Sequence, residues 1–258
     1  MQTQETFKRY EKKYLLNSEQ IQNLMSVMDK YMTLDQYGKH TICNIYFDTE
    51  NFELIRASIE KPTYKEKVRL RSYGVPGNED NVFLELKKKY DKVVYKRRAQ
   101  MQMWQAKQYL YEGEKPQKMG QIQKELDFVL DKYHLSPAVY LSYERRAFFG
   151  KEQKDLRITL DENILCRQEK LDLREGSFGT SILEEGQVLM EIKIPGSMPL
   201  WLSHALAENK IYPISFSKYG TYYKKYILPQ MSFAGNLEFS HYQEKNKQRQ
   251  IKHRSVTC

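Results

Sequence analysis

The sequence is poor in cysteine and lacks the usual cysteine and histidine metal motifs. Its three cysteines, Cys43, Cys166 and Cys258, are odd in number and widely spaced, which argues against a disulfide framework. The histidines form no HxH or HExxH pattern and no CxxC pair is present, so a structural zinc site is not expected. Nothing supports papain-like Cys/His chemistry, although spacing alone does not exclude it.

Long apolar runs and linkers are also missing. No segment approaches the roughly 18 apolar residues that span a bilayer, and residues 1–6 lack the layout of a signal peptide. No Gly/Ser- or Pro-rich stretch and no internal repeat divides the chain. We therefore expect a soluble, cytoplasmic protein with one domain over residues 1–240 and a basic, disordered tail over 241–258.

Positive charge is what the sequence has in excess. The 258 residues include 42 Lys and Arg against 33 Asp and Glu, a net charge of +9, together with 20 tyrosines. At 40% hydrophobic residues the chain can form a sizeable core. The basic excess favours an acidic partner, but by itself it does not say which one.

Alternating and helical patterns predict an α+β fold. Asn17 and Gln20 form a capping box that opens a first helix. Further helices are predicted at 99–112, about 122–133, from Pro199 onward, and along a tyrosine stripe at 216–226. Period-two segments predict strands at 41–47, 64–73, 82–89, 93–98, 138–149, 156–160 and 188–194. Many antiparallel strands flanked by helices predict a sheet that can close into a barrel.

The strand at 64–73 separates its charges by face. Because side chains alternate along a strand, Lys67, Arg69 and Arg71 share one face while Val68 and Leu70 share the other. Other predicted strands repeat this division, with inward candidates Glu85, Lys87, Lys96, Arg98, Arg145, Arg157, Asp161, Glu191 and Lys193.

If the apolar faces pack on helices, these charged faces line the interior of the barrel. Buried unpaired cations are costly, at several kcal/mol each, and Glu85, Asp161 and Glu191 cannot neutralise them all. A chain of phosphates would supply the missing negative charge, since Arg and Lys both suit phosphate oxygens. The alternative is an open sheet whose charged face meets water.

Seven segments in order give a family resemblance over about residues 5–230. They are Arg9-Tyr-Glu-Lys-Lys-Tyr14, Lys67-Val-Arg-Leu-Arg71, Leu84-Glu-Leu-Lys87, Tyr143-Glu-Arg-Arg-Ala-Phe148, Arg157-Ile-Thr-Leu-Asp161, Leu189-Met-Glu-Ile-Lys193 and Ser215-Phe-Ser-Lys-Tyr219. The set resembles the VTC domain, the polyphosphate polymerase domain of the eukaryotic vacuolar transporter chaperone complex, and its bacterial single-domain relatives. The resemblance implies a triphosphate tunnel metalloenzyme fold, an antiparallel β-barrel tunnel flanked by helices.

The resemblance also implies an activity and roles for residues. The expected reaction moves the γ-phosphoryl of ATP onto a growing polyphosphate chain with the help of Mn²⁺ or Mg²⁺, and Glu191 is the expected metal ligand, ahead of Glu85 and Asp161. The expected catalytic phosphate clamp is Lys67, Arg69, Arg71, Lys87, Arg145, Arg157 and Lys218. Further phosphate and cofactor contacts are expected from Arg9, Lys13, Lys96, Arg98 and Lys193. The expected partners are ATP and inorganic polyphosphate, with pyrophosphate as a further candidate, and no nucleic acid.

Some positions depart from relatives and keep other interpretations open. The CYTH-type triphosphatases and adenylate cyclases open with an ExExK strand, whereas this chain has Arg9-Tyr-Glu-Lys-Lys13, which favours the polymerase branch. Ser215 stands where the eukaryotic enzymes have a second lysine. Neither the SPX domain nor the transmembrane helices of the eukaryotic complexes fit in this chain. A triphosphatase in the same tunnel, or a non-enzymatic binder of polyphosphate or nucleic acid, remain the alternatives.

Overall fold

The computed structural model describes residues 9–60, 62–91 and 93–234. The strands are β1 (Arg9–Leu16), β2 (Met32–Leu34), β3 (His40–Asp48), β4 (Tyr64–Tyr73), β5 (Asn81–Tyr90), β6 (Val93–Gln102), β7 (Ser136–Gly150), β8 (Arg157–Arg167), β9 (Thr180–Ser181) and β10 (Val188–Pro195). The helices are α1 (Ser18–Tyr31), α2 (Glu53–Ile59), α3 (Met103–Tyr111), α4 (Gln121–Tyr133), α5 (Leu200–Glu208), α6 (Lys218–Tyr222) and α7 (Leu228–Ala234). A 3₁₀ turn lies at Leu173–Glu175 and a π-helical turn at Tyr223–Ile227.

Eight strands form one curled antiparallel sheet, a half-barrel. Their order is β1-β10-β8-β7-β3-β4-β5-β6, while β2 adds to β7 and β9 adds to β8. Within the described residues no ladder joins β1 to β6, and the outer edge of β1 is met by a single bridge from Lys13 to Ile214. The predicted α+β fold, with a barrel-like antiparallel sheet flanked by helices, is confirmed.

Helices α1, α3, α4 and α5 pack on the convex face of the sheet and bury two apolar clusters there. The first cluster joins the outer faces of β3 to β6 to α3 and α4, with Val68, Leu84 and Leu126 at its centre. The second joins β1, β8 and β10 to α1 and α5, around Met28 and Met190. The convex face therefore takes the apolar half of each strand, and the charged half is left for the concave face.

The predicted helix at 99–112 begins later than expected. Residues 99–102 continue β6, because Ala99 and Met101 alternate into the first core cluster as strand residues do. Helix α3 starts at Met103, and Gln102 and Gln105 form its capping box. The capping box predicted at Asn17 and Gln20 is confirmed at the start of α1.

The predicted final helix over 216–226 is interrupted. It begins at Lys218 and passes into the π-helical turn at Tyr223–Ile227. Tyr219 and Tyr223 of the predicted stripe are buried, whereas Phe216 and Tyr226 are only partly buried. The π turn adds a residue to the repeat, and Tyr222 is buried as well.

The chain consists of two compact units, one ending at Gly220 and one beginning at Thr221. The second unit holds the π-helical turn and α7. The predicted tail over 241–258 lies outside the described residues. No helix in the described ranges has the length and apolar character to cross a lipid bilayer.

Candidate functional site

Strand β4 places its basic residues on the concave face. Val68 and Leu70 are fully buried in the convex core, so the alternating residues Lys67, Arg69 and Arg71 point the other way, as the pattern predicts. The hydrogen-bond partners of Arg69 and Arg71 come from β3, β5 and β7.

The curl of the sheet brings distant strands together across this face. Lys13 on β1 and Lys67 on β4 are separated by four strands in the sheet order, yet the charge of Lys13 helps to lower the pKa of Lys67. The charge of Lys218 likewise acts on Tyr46 of β3 and helps to lower its pKa against the effect of burial. Charged side chains from both halves of the sheet therefore share one interior.

Four cations surround the buried carboxylate of Glu85. Arg69 Nε donates to Glu85 Oε2 at 2.8 Å, while Lys96 Nζ and Arg98 Nε lie 2.7 Å from Oε1. Arg71 Nε is 3.8 Å from Oε2. Burial opposes ionisation of Glu85, but Arg69, Arg71 and Lys96 together hold its pKa well below the ordinary value. One negative charge thus faces four positive charges.

A second charge cluster lies on β7, β8 and β10, below the start of α6. Arg145 donates to both oxygens of Asp161, at 2.6 and 2.7 Å, and Lys218 Nζ lies 2.6 Å from Asp161 Oδ2. Glu191 Oε1 is 3.2 Å from Lys13 Nζ and 3.4 Å from Lys218 Nζ. Burial lowers the pKa of Lys218, but Asp161 and Glu191 outweigh it and raise that pKa above the ordinary value.

Other inward cations have no carboxylate partner among the described residues. Lys67 Nζ donates only to Ser217 Oγ, at 3.1 Å, and burial next to Lys65, Lys13 and other cations lowers its pKa to about 7. Arg157 and Lys193 are paired across β8 and β10. Burial lowers the pKa of Lys193.

Arg157 and Lys87 complete this unpaired set. The Arg157 guanidinium lies 4.9 Å from the ring centroid of Phe149, and its buried Nε has no hydrogen-bond partner. Lys87 pairs with Lys67 across β4 and β5 and makes no ion pair within the described part of the chain. Two neighbouring strands thus present facing lysines.

Polar residues that were not among the predicted site residues support the arginines. Asn44 Oδ1 accepts from Arg71 Nε at 3.0 Å, and the hydroxyl of Tyr143 accepts from Arg71 Nη2 at 3.4 Å. Tyr46 accepts from Arg69 Nη1 at 3.2 Å. Asn44 and Tyr46 alternate on the strand predicted at 41–47, so the same face count applied to that uncharged strand would have found them.

A divalent metal fits this face at one carboxylate only. The described residues contain no group of three or more His, Cys, Asp or Glu side chains that could hold a metal. Both oxygens of Glu85 and of Asp161 are engaged by cations. Lys13 and Lys218 both lie nearest to Glu191 Oε1, which leaves Oε2 as the oxygen for a metal and makes Glu191 a single ligand that needs phosphate oxygens to complete the coordination of Mg²⁺ or Mn²⁺.

Of the predicted site residues, only Arg9 cannot be placed, because its side chain lies outside the described part of the structure. The structure brings the others together on the concave face. They are Lys13, Lys67, Arg69, Arg71, Lys87, Lys96, Arg98, Arg145, Arg157, Glu191, Lys193 and Lys218.

The half-barrel thus carries clustered cations on its inner face, a surface whose charge suits anions. The family model of the VTC domain matches residues 8–227, and the chain belongs to that family, as its seven segments predict.

Solved structures with similar folds have low sequence identity. A candidate adenylate cyclase from Vibrio parahaemolyticus is 11% identical with a TM-score of 0.44, covering 83% of this chain and 97% of its own. The PH1819 protein from Pyrococcus horikoshii OT3 is 14% identical with a TM-score of 0.45, covering 84% and 99%. HpAC1 from Hippeastrum, a candidate adenylyl cyclase described as having a dominant triphosphatase activity, is 17% identical with a TM-score of 0.47, covering 84% and 96%. No curated protein matches the chain.

Proposed function

We propose that this VTC-domain protein is an ATP-dependent polyphosphate polymerase that transfers the γ-phosphoryl of ATP to the end of a polyphosphate chain. The observation that carries the proposal is the excess of cations over carboxylates on the concave face. Around Glu85 alone, four cations share one carboxylate. A ligand with closely spaced negative charges would satisfy this face, and a phosphate chain has that charge density.

The spread of the cations along the concave face favours a chain over a single anion. One group surrounds Glu85, a second surrounds Asp161, and Arg157 and Lys193 lie on the far side of Glu191 on β8 and β10. A chain of linked phosphates can contact all three groups at once. A nucleotide triphosphate occupies part of the same face, with its transferable phosphate next to the end of the polymer.

The residues of this chain supply charge and alignment. Arg69, Arg71 and Arg98 present guanidinium groups with spare N–H donors, which suit phosphate oxygens. Arg145 and Lys218 are held by Asp161, so they keep fixed positions for the charge that develops on the transferred phosphoryl group. Phosphoryl transfer depends mainly on such positioning and electrostatic stabilisation.

A divalent metal, Mg²⁺ or Mn²⁺, would supply further positive charge to the reacting phosphates. Glu191 is the residue that would hold it, through Oε2, the oxygen farther from Lys13 and Lys218. Lys13 and Lys218 lie on its other oxygen and fix the orientation of the carboxylate.

The test is incubation of the purified protein with ATP and Mn²⁺, with polymer detected by gel electrophoresis and free phosphate by a colorimetric assay. Polymer together with ADP supports the proposal. Free phosphate without polymer would instead make the protein a triphosphatase of the same tunnel. Tripolyphosphate binding without turnover of ATP would make it a non-enzymatic polyphosphate binder.

A further inference from the structure

One buried carboxylate outside the cationic clusters accepts four hydrogen bonds. Asp48, the last residue of β3, is fully buried. Its Oδ1 accepts from the N–H groups of Thr49 and Leu54, both at 2.9 Å, and its Oδ2 accepts from the N–H of Ile55 at 3.1 Å. The fourth donor is the hydroxyl of Tyr219, at 2.9 Å from Oδ2. Burial raises the pKa of Asp48 above its ordinary value, and the four donors, two on each oxygen, oppose that effect.

These four bonds connect two parts of the molecule that are far apart in sequence. The N–H donors belong to the turn after β3 and to the first turn of α2, where Phe52 has a left-handed backbone with φ of 57°. Tyr219 belongs to α6, which starts at Lys218. The carboxylate of Asp48 therefore links α6, through Tyr219, to the turn after β3, whose N–H groups it also binds.

Tyr219 directly follows two residues, Ser217 and Lys218, that contact charged groups of the concave face. The preceding residue, Lys218, contacts Asp161 and Glu191 in the charge cluster. Ser217, one residue earlier, accepts from Lys67. The ring of Tyr219 stacks on the ring of Tyr46 at a centroid distance of 4.9 Å.

The packing at Gly220 shows how closely α6 is seated. A Cβ added at Gly220 would lie 3.2 Å from Ser217 side-chain atoms and 3.6 Å from Ile59 of α2. The start of α6 is therefore held by close packing at Gly220 and, among its other contacts, by the hydrogen bond from Tyr219 to Asp48. Loss of that bond weakens the seating of Tyr219, so we expect the adjacent Lys218 to be placed less precisely.

We propose that Asp48 and Tyr219 form a positioning pair, which fixes the first turn of α6 and thereby places Lys218 and Ser217 on the concave face for a phosphate ligand. The inference rests on the proposed phosphate-binding function, but not on turnover. Neither Asp48 nor Tyr219 is expected to touch the ligand. Their effect passes through Lys218.

The experiment compares two buried tyrosines, each of which donates a hydrogen bond to an aspartate. Tyr219→Phe removes the hydroxyl that donates to Asp48 and leaves the ring on Tyr46. Tyr109→Phe is the matched control, because Tyr109 is also buried and its hydroxyl donates to Asp127 at the same distance of 2.9 Å, but between α3 and α4 on the convex side. Binding of tripolyphosphate is measured by titration calorimetry without metal or ATP, alongside thermal unfolding.

We expect Tyr219→Phe to weaken tripolyphosphate binding by about 3- to 10-fold, the loss typical of one net hydrogen bond, while Tyr109→Phe stays within about two-fold of the parent. Both variants should lose similar thermal stability. Equal affinities for the two variants would overturn the proposal.

A double-mutant cycle separates positioning from a general structural effect. If Tyr219 acts through Lys218, then Tyr219→Phe causes no further loss of affinity in a Lys218→Met background. The same fold-loss in both backgrounds would show that the pair does not act through Lys218. Asp48→Asn gives the same direction if it folds, and the tyrosine variant decides the outcome if it does not.

Failure of the polymerase proposal and failure of the positioning pair give different results. A chain that makes no polymer still binds tripolyphosphate, and the comparison of the two tyrosine variants then remains valid. In a chain that does make polymer, Tyr219→Phe should raise KM for ATP more than it lowers kcat, since it shifts a phosphate-binding lysine.

Discussion

Lys67 contacts Ser217, the residue just before Lys218, but of these two lysines only Lys218 has carboxylate partners among the described residues. Lys67 donates to Ser217 Oγ at 3.1 Å, and Lys218 Nζ lies 2.6 Å from Asp161. Burial and the cations around it lower the pKa of Lys67 to about 7, whereas Asp161 and Glu191 raise that of Lys218. Two lysines of one site thus carry their protons over different pH ranges.

This difference predicts how the stability of the protein depends on pH. The unfolded chain holds the Lys67 proton up to its ordinary pKa of 10.5, and the folded chain only to about 7. Between these values the unfolded chain binds more protons, so the contribution of Lys67 to stability rises with pH. Below about pH 7 the cost of a protonated, unpartnered Lys67 applies in full.

Lys67→Met should therefore stabilise the chain at low pH. We expect the free energy of unfolding to increase by on the order of 2 kcal/mol at pH 6, with the difference shrinking toward pH 10. Urea unfolding of both proteins at pH 6, 8 and 9.5 measures it. A stabilisation that grows with pH would contradict the assignment.

Ligand affinity should follow the same titration. From pH 6 to pH 9, Lys67 loses its proton. The site then has one positive charge fewer, so tripolyphosphate binding weakens. Lys67→Arg keeps its charge over this range and should lose less affinity. Titration of both proteins at each pH cancels the ionisation of tripolyphosphate itself, and parallel pH profiles would refute the prediction.

Glu85→Gln should destabilise the free protein and make it respond to polyanions. The substitution leaves Arg69, Lys96 and Arg98 without their shared carboxylate, and we expect a loss of about 3 kcal/mol in unfolding free energy. Tripolyphosphate should restore much of it, because phosphate replaces the missing charge.

Glu125→Gln is the control for this prediction. Glu125 pairs with Lys88 at 2.8 Å and Arg97 at 3.0 Å, with its side chain 29% exposed. The expected loss is below about 1 kcal/mol, as for other accessible ion pairs, with no recovery on adding tripolyphosphate. Equal recovery of both variants would mean that the ligand binds elsewhere.

Glu191→Gln should abolish metal-dependent turnover and leave tripolyphosphate binding without metal intact or tighter, since Lys13 and Lys218 lose a competing anion. Glu11→Gln is the matched control: Glu11 also contacts Lys13, at 3.7 Å, but its side chain is 36% exposed. Polymer assays over a range of Mn²⁺ concentrations compare the two. A fully active Glu191→Gln protein would remove Glu191 as the metal ligand.

Arg167 is a buried arginine that should not bind phosphate. Its guanidinium lies between the rings of Tyr140 and Phe178, at 3.4 and 3.9 Å from their centroids. It donates to backbone carbonyls of Glu169, Lys170, Asp172, Gly176 and Phe178. Arg167→Met should cost about 3 kcal/mol in stability and leave the tripolyphosphate affinity of the folded protein unchanged. Weakened binding at unchanged stability would show the opposite role.

Sequence alternation was enough to place most of the charged site. The positions of Lys67, Arg69 and Arg71 follow from the period of a strand and from the apolar residues between them. The resemblance to the VTC domain then supplied the curl that turns one face of a sheet into an interior. The strand pattern and the order of the seven family segments predict the same fold class.

Other features depend on tertiary contacts that no local pattern shows. Lys218 pairs with Asp161 as well as with Glu191, and this depends on where α6 packs on the sheet. Helix α2 and the role of Asp48 escaped prediction, because a buried aspartate at a strand end looks like an ordinary turn residue. The extension of β8 past Leu160 passes through Asn163, whose left-handed φ of 51° a period-two count cannot accommodate.

The pairing of β1 with β10 also concerns how this protein reaches its folded state. Lys13 and Glu191 become neighbours only when segments near opposite ends of the described chain join. Such distant closure is entropically costly and slow compared with the β5–β6 hairpin. The cationic interior is therefore expected to assemble late, while Lys13 and Lys67 repel each other, and a polyanion that screens this repulsion should shorten the last step of folding.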